Sequence, residues 1–103
     1  MNKTTLLRPF TDIFEDDSAV TIVANIAGVE KANLDISVEE HVLTICGEYI
    51  SEDKKEVKYE RQFKIGPDID LEQISASIKN GVASITLPRL MKTEPKRIAV
   101  KIN

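Results

Sequence analysis

Ile74-Ser75-Ala76-Ser77-Ile78-Lys79-Asn80-Gly81-Val82-Ala83-Ser84-Ile85-Thr86-Leu87-Pro88 is the stretch that decides the fold. Ile74, Ala76 and Ile78 alternate with Ser75, Ser77 and Lys79, the period of two that marks a strand with one buried face. Asn80-Gly81 readily takes the positive φ values that a two-residue hairpin turn demands. Beyond the turn, Ala83, Ile85 and Leu87 share one face and Val82, Ser84 and Thr86 the other. Pro88 has no N–H to give a ladder and stops the strand. These residues read as a β-hairpin.

The same period recurs on the N-terminal side. Val20, Ile22, Ala24 and Ile26 alternate with Thr21, Val23 and Asn25 up to Ala27-Gly28, and Leu34, Ile36 and Val38 alternate with Asp35, Ser37 and Glu39. Val42-Leu43-Thr44-Ile45-Cys46 has apolar residues on both faces and is expected to lie centrally, with Cys46 pointing into the packing. Glu39-Glu40-His41 connects these two strands without the glycine that most favours a tight turn. The five charges Glu52-Asp53-Lys54-Lys55-Glu56 read as an exposed turn. Val57, Tyr59, Arg61, Phe63 and Ile65 then share one face of a further strand. A charge at Arg61 on that apolar side must be paired, hydrogen-bonded or left at an edge. Gly66-Pro67-Asp68 turns the chain, and Leu71-Glu72-Gln73-Ile74 fits a short helical turn. Thr11 to Phe14 adds an edge strand, Leu90 to Lys96 an extended linker, and Arg97 to Ile102 a last alternating segment. About seven short one-sided strands without a long amphipathic helix predict an all-β, compact antiparallel, immunoglobulin-like sandwich.

Composition narrows the function. With 103 residues the chain supports one small core and not two ordinary domains. Its apolar runs fall far short of the roughly 20 residues that span a bilayer, and Met1 to Phe10 lacks a signal peptide's hydrophobic stretch, so a cytoplasmic protein is expected, with no membrane partner. The sequon Asn2-Lys3-Thr4 is accordingly given no role. The single cysteine, Cys46, has no intrachain disulfide partner. Net charge is −3 but uneven: nine acids against Lys31 between Asp12 and Glu48, and five bases against Glu94 between Arg89 and Asn103. An acidic body repels phosphates, so no nucleic-acid partner is expected, whereas body and tail of neighbouring copies attract.

Catalytic chemistry finds no foothold. His41 is the only histidine and sits beside acids at a turn, and no serine occupies a nucleophile elbow. Asp68 and Asp70 lie near Glu72 without EF-hand spacing, and Gly28, Gly47, Gly66 and Gly81 are isolated rather than clustered into a phosphate loop. No enzyme, cofactor or metal is expected, and function is assigned to surfaces. The terminal Ile98-Ala99-Val100, overlapping Val100-Lys101-Ile102, follows a basic, proline-containing linker. It reads either as an edge strand folded back on its own domain or as a segment added to a sheet edge of another subunit.

These segments together resemble the small heat-shock protein family through its alpha-crystallin domain. The resemblance runs from Pro9-Phe10-Thr11-Asp12-Ile13-Phe14-Glu15 through Ala27-Gly28-Val29, Leu34 to Val38, and Leu43-Thr44-Ile45-Cys46-Gly47-Glu48 to the hairpin quoted first. It implies a short arm over residues 1–8, a β-sandwich over 9–88 and a C-terminal extension with a docking motif over 89–103. It also implies an ATP-independent chaperone that holds partly unfolded client proteins, forms homodimers and higher oligomers, and has scope to co-assemble with a longer paralogue. A non-catalytic scaffold or adaptor for such a paralogue is the alternative. By the same resemblance Ile98, Val100 and Ile102 are the docking residues, Leu34, Ile36, Val38, Ile74, Ala76 and Ile78 supply the receiving groove, and Arg61 pairs with a carboxylate across a dimer contact. Ala83 stands where the family carries leucine. The Gly47–Arg61 connection is shorter than in many bacterial relatives, so a strand-exchanged dimer is not expected.

Overall fold

The computed structural model describes residues 4–90. Among them are eight strands: β1 (Thr5–Leu7), β2 (Thr11–Glu15), β3 (Ala19–Asn25), β4 (Leu34–Glu39), β5 (Val42–Ile50), β6 (Glu56–Lys64), β7 (Ser75–Lys79) and β8 (Val82–Pro88). They form two four-stranded sheets, ordered β1-β6-β5-β4 and β2-β3-β8-β7. All pairings are antiparallel except β1 on β6, where Thr5, Leu6 and Leu7 stand opposite Val57, Lys58 and Tyr59. β1 lies within the arm assigned to residues 1–8 and is not among the strands read from the sequence. Three residues, all exposed, carry no alternation long enough to be read in sequence. The alternating segment Arg97 to Ile102 lies outside the described residues.

The core lies between the sheets and is built from the alternating positions. Ile22 and Ala24 of β3, Leu43 and Ile45 of β5, and Ala83, Ile85 and Leu87 of β8 are buried and pack with Ile26, Val29, Ile65 and Ile69. Each fully buried large aliphatic contributes about 1.5–3 kcal/mol relative to exposure. Ala83 is fully buried opposite Ala24, so the small residue meets another small residue where the two central strands pair. Cys46 does not point into this core. Its neighbours Leu43, Ile45 and Gly47 take the inward side of β5, and Cys46 is half-buried on the outer face. Apolar residues on both faces of a short run hide which parity is inward.

Two turns fix the hairpins. Asn80 and Gly81 have φ of 52° and 76°, and a Cβ at Gly81 would stand 2.9 Å from the Ala27 Cα, so glycine allows both the turn and a close backbone approach. Glu40 and His41 connect β4 to β5 with φ of 50° and 61°, holding the left-handed region without a glycine. The His41 carbonyl accepts from the Ile65 N–H at 2.7 Å. The charged run between β5 and β6 is an exposed turn, closed by the Ser51 hydroxyl accepting from the Lys55 N–H.

Candidate functional site

β4 and β7 are the outer strands of their respective sheets, and they flank one open side of the sandwich. Leu34, Ile36 and Val38 take the half-buried positions of β4, while Asp35, Ser37 and Glu39 are exposed. On β7, Ala76 stands opposite Ile85 and Ile78 opposite Ala83, so their side of the strand is the core side. Ala76 is nonetheless exposed. Between the two strands is a cleft of about 370 Å³ lined by Ile36, Val38, Leu71, Ile74, Ser75 and Ala76. Leu34 and Ile78 pack against the core and do not line it.

Leu71 is a lining residue that the alternation does not reveal, because it belongs to a 3₁₀ turn, Leu71–Gln73, rather than a strand. The Asp70 side chain caps that turn by accepting from the Glu72 N–H at 3.2 Å. A capping aspartate ahead of an otherwise polar turn with one leucine is the sequence signal that points to it. Asp68, two residues earlier, pairs with the Arg89 guanidinium. Both carboxylates singled out as an ion-contact candidate thus have local structural partners.

Arg61 lies on the opposite side of the sandwich from this cleft. Its Nη1 donates to the Pro9 carbonyl at 3.0 Å, and its guanidinium carbon stands 5.0 Å from the Phe63 ring centre. The charge on the apolar face is thus accommodated within the chain by a carbonyl and a π-face. Its Nε is buried without a partner among the described residues, as is the Thr11 hydroxyl. A second cleft, of about 230 Å³, opens on this side. It is lined by Ile13, Val20, Ile22, Phe63, Ile65 and Leu87 with Glu15, Asp68 and Arg89 at its polar margin.

Few ionisable groups are perturbed. Asp16 is held below the ordinary aspartate value of 3.8, first by the Ser18 hydroxyl and then by the Ser18 and Ala19 N–H groups. Partial burial raises the Cys46 thiol, which disfavours the thiolate. Burial, followed by the neighbouring Tyr49, raises the Tyr59 phenol. The Tyr59 hydroxyl donates to the Ala27 carbonyl at 3.1 Å and tethers the loop after β3. Two edge strands around a cleft lined by aliphatic side chains can accept an extended segment through main-chain bonds while alternate side chains enter the cleft.

Among the described residues the chain is a two-sheet β-sandwich whose outer strands each leave one edge without a strand neighbour. The chain belongs to the Hsp20/alpha crystallin family, whose profile matches residues 12–103. It is 30% identical to the small heat shock protein C2 of Rickettsia felis, over 92% of this chain and 69% of that protein. Heat shock protein 16 of Schizosaccharomyces pombe is 29% identical over 92% of this chain and 76% of its own length. Among solved structures, heat shock protein 16.0 from Schizosaccharomyces pombe aligns with a TM-score of 0.76 and 28% identity, covering 92% of this chain and 76% of that one. A small heat-shock protein from Xylella fastidiosa, described as having a distinct high order structure, aligns with a TM-score of 0.76 and 26% identity over 91% of this chain and 96% of that one. Family membership supports a chaperone and stress-response role in general terms. Among the described residues, no helix is long and apolar enough to cross a membrane.

Proposed function

We propose that the chain is an ATP-independent holding chaperone that binds extended apolar segments of partly unfolded proteins in the β4/β7 cleft. The observation that carries this reading is the pair of strand edges, without a strand neighbour among the described residues, that flank a cleft of about 370 Å³ lined by the aliphatic side chains of Ile36, Val38, Leu71 and Ile74. Exposed edges recruit backbone, and the half-buried Ile36, Val38 and Ile74 recruit side chains. Capture removes the client's apolar segment from water and from other unfolded chains, and requires no bond to be made or broken. When no client is present, Ile98 and Val100 of a neighbouring subunit occupy the cleft, with Ile102 available through the overlapping register. This protects the edges and links dimers into larger assemblies. Arg61 is the dimer-contact residue, its partnerless Nε taking a carboxylate from the second subunit.

The direct test is suppression of aggregation of a heat- or reduction-destabilised client, without nucleotide, at increasing molar ratios of folded protein. Light scattering from the client is expected to fall in proportion to added protein. Undiminished aggregation at several-fold molar excess refutes the holding activity.

A further inference from the structure

The second open side of the sandwich has a different chemistry from the first. β2 is the outer strand of its sheet, so among the described residues one of its edges has no strand neighbour. Ile13 stands opposite the buried Ile22, on the core side of β2, yet is 50% exposed over the cleft beneath. Ile13 and the second cleft together leave aliphatic surface on the core side of this edge partly in water. Asp12, Glu15 and Asp17 are exposed along and just beyond this edge. A second copy of β2 would add further carboxylates to this edge with no base to offset them. The edge is matched instead by an apolar alternating strand that carries bases.

The chain supplies such a strand and delivers it to the correct end. Glu15, Val20 and Leu87 stand in one row across β2, β3 and β8, so the chain leaves β8 at the Glu15 end of β2. It is anchored there. The Arg89 N–H donates to the Ser18 carbonyl at 2.9 Å, Arg89 Nε to the Asp16 carbonyl at 3.0 Å, and the Leu90 N–H to the Asp68 carbonyl at 2.6 Å. A strand added outside β2 lies three inter-strand spacings from β8, about 14 Å. The six residues Met91 to Lys96 reach about 20 Å when extended. Arg97 is then available to begin pairing, and a segment entering from this end runs antiparallel to β2.

We infer that Arg97 to Ile102 of the same chain adds to β2 as a fifth strand of that sheet and closes the cleft beside Ile13. With Val100 opposite Ile13, Lys101 stands opposite Asp12, and Arg97 stands opposite Asp16, next to Asp17. In this register Ile98, Val100 and Ile102 are on the cleft side, with Ile98 opposite Glu15 at the polar margin, and Arg97 and Lys101 are on the other side with Asp16 and Asp12. This self-docked state is separate from docking on a neighbour's β4/β7 cleft and competes with it for the same residues. Self-docking is independent of protein concentration, whereas docking on a neighbour is not. Dilute protein thus keeps its tail at home, and concentrated protein exchanges it between subunits.

Amide hydrogen exchange of residues 97–102 in the full chain, across a dilution series at low salt, tests the inference. It is measured alongside the double variant Asp12→Lys/Glu15→Lys and the β4 variant Ile36→Glu, with melting curves confirming that each is folded. In the most dilute wild-type protein these amides are expected to exchange about tenfold more slowly than in Asp12→Lys/Glu15→Lys. Ile36→Glu is expected to retain that protection while losing higher oligomers. Protection that appears only as oligomers form, that survives in the β2 variant, or that Ile36→Glu abolishes at every dilution overturns the inference. Oligomers that persist in Ile36→Glu count against the β4/β7 reading alone, because protection in dilute protein is read independently of them.

Discussion

Ala76→Glu is the substitution that isolates the β4/β7 cleft from the stability of the domain. Ala76 is exposed on an outer strand and lines the cleft, so the longer side chain has room and solvent in the free protein. Unfolding free energy should change by less than about 0.5 kcal/mol, the ordinary range for a surface position. Docking is another matter. Two aliphatic anchors entering an open cleft are only partly buried, and together gain about 1.5–3 kcal/mol, half the value for full burial. An unpaired carboxylate covered by those anchors loses hydration at a cost of several kcal/mol. The cost exceeds the gain, so the tail does not seat. A loss of 1.5–3 kcal/mol corresponds to roughly ten- to 150-fold weaker docking. Light scattering over a concentration range should show higher oligomers shifting towards dimers, and client protection should fall because the client meets the same carboxylate. Adding Ile98→Ala/Val100→Ala to Ala76→Glu should weaken assembly no further, since both changes remove one contact. A folded Ala76→Glu protein with unchanged assembly and unchanged client protection would refute the assignment of this cleft.

Three further outcomes follow from the fold. Gly81→Ala places a side chain at φ 76° and a Cβ 2.9 Å from the Ala27 Cα; a loss of about 2–3 kcal/mol is expected by urea unfolding, part from the left-handed backbone and part from the shift of the loop after β3. Arg61→Ala leaves the Pro9 carbonyl without its donor and removes the guanidinium from the Phe63 ring, for a loss of about 1–3 kcal/mol in thermal or urea melts. Because the Asp16 pKa is depressed, its contribution to stability is fully present above the ordinary value of 3.8 and is lost as pH falls through the lower folded value. Asp16→Ala should therefore flatten the acid limb of the stability-versus-pH curve below that point, and an unchanged limb would refute the role of its Ser18 and Ala19 hydrogen bonds.

What the sequence displays best is one-sided burial. The alternations at Val20–Ile26, Leu34–Val38 and Val82–Leu87 reappear as β3, β4 and β8, with the expected face inward, because a period of two fixes parity wherever polar residues occupy the other face. The Leu71–Ile74 turn and the Asn80-Gly81 hairpin are legible for a similar reason: cap and turn chemistry is local. Parity fails at Cys46, where Val42, Leu43, Ile45 and Cys46 offer two apolar faces and only the neighbouring sheet selects one. β1 is invisible because its three residues pair in parallel with a strand some fifty positions away, a contact with no local signature. Arg61 was conspicuous as a charge on an apolar face, but its acceptor, the Pro9 carbonyl, lies 52 residues distant and has no side-chain code. The cleft residue Leu71 was hidden by its place in a turn, where alternation has no meaning.

The two clefts share one physical origin. A sandwich of two four-stranded sheets has outer strands on both sides, and here β4 and β7 bound one side and β2 and β1 the other, where β1 covers β6 only from Val57 to Tyr59 and the Phe63 end of β6 lines the second cleft. A core of this size fills the centre with Ile22, Leu43, Ile45, Ile85 and Leu87 and leaves the marginal aliphatics Ile13, Ile36, Val38 and Ile74 partly wet. Such margins are association hazards unless covered, and the chain has one alternating segment to cover them. Charge then distinguishes the margins: the β2 edge carries the exposed acids Asp12, Glu15 and Asp17, whereas the β4/β7 cleft is lined by Ile36, Val38, Leu71, Ile74, Ala76 and Ser75. Salt should therefore weaken the first association more than the second, since screening acts on the ion pairs and leaves aliphatic burial intact. If the tail divides as proposed between the β2 edge of its own chain and a neighbour's β4/β7 cleft, client protection should vary with ionic strength as well as with protein concentration, and protection that is unchanged between low and high salt would refute that division.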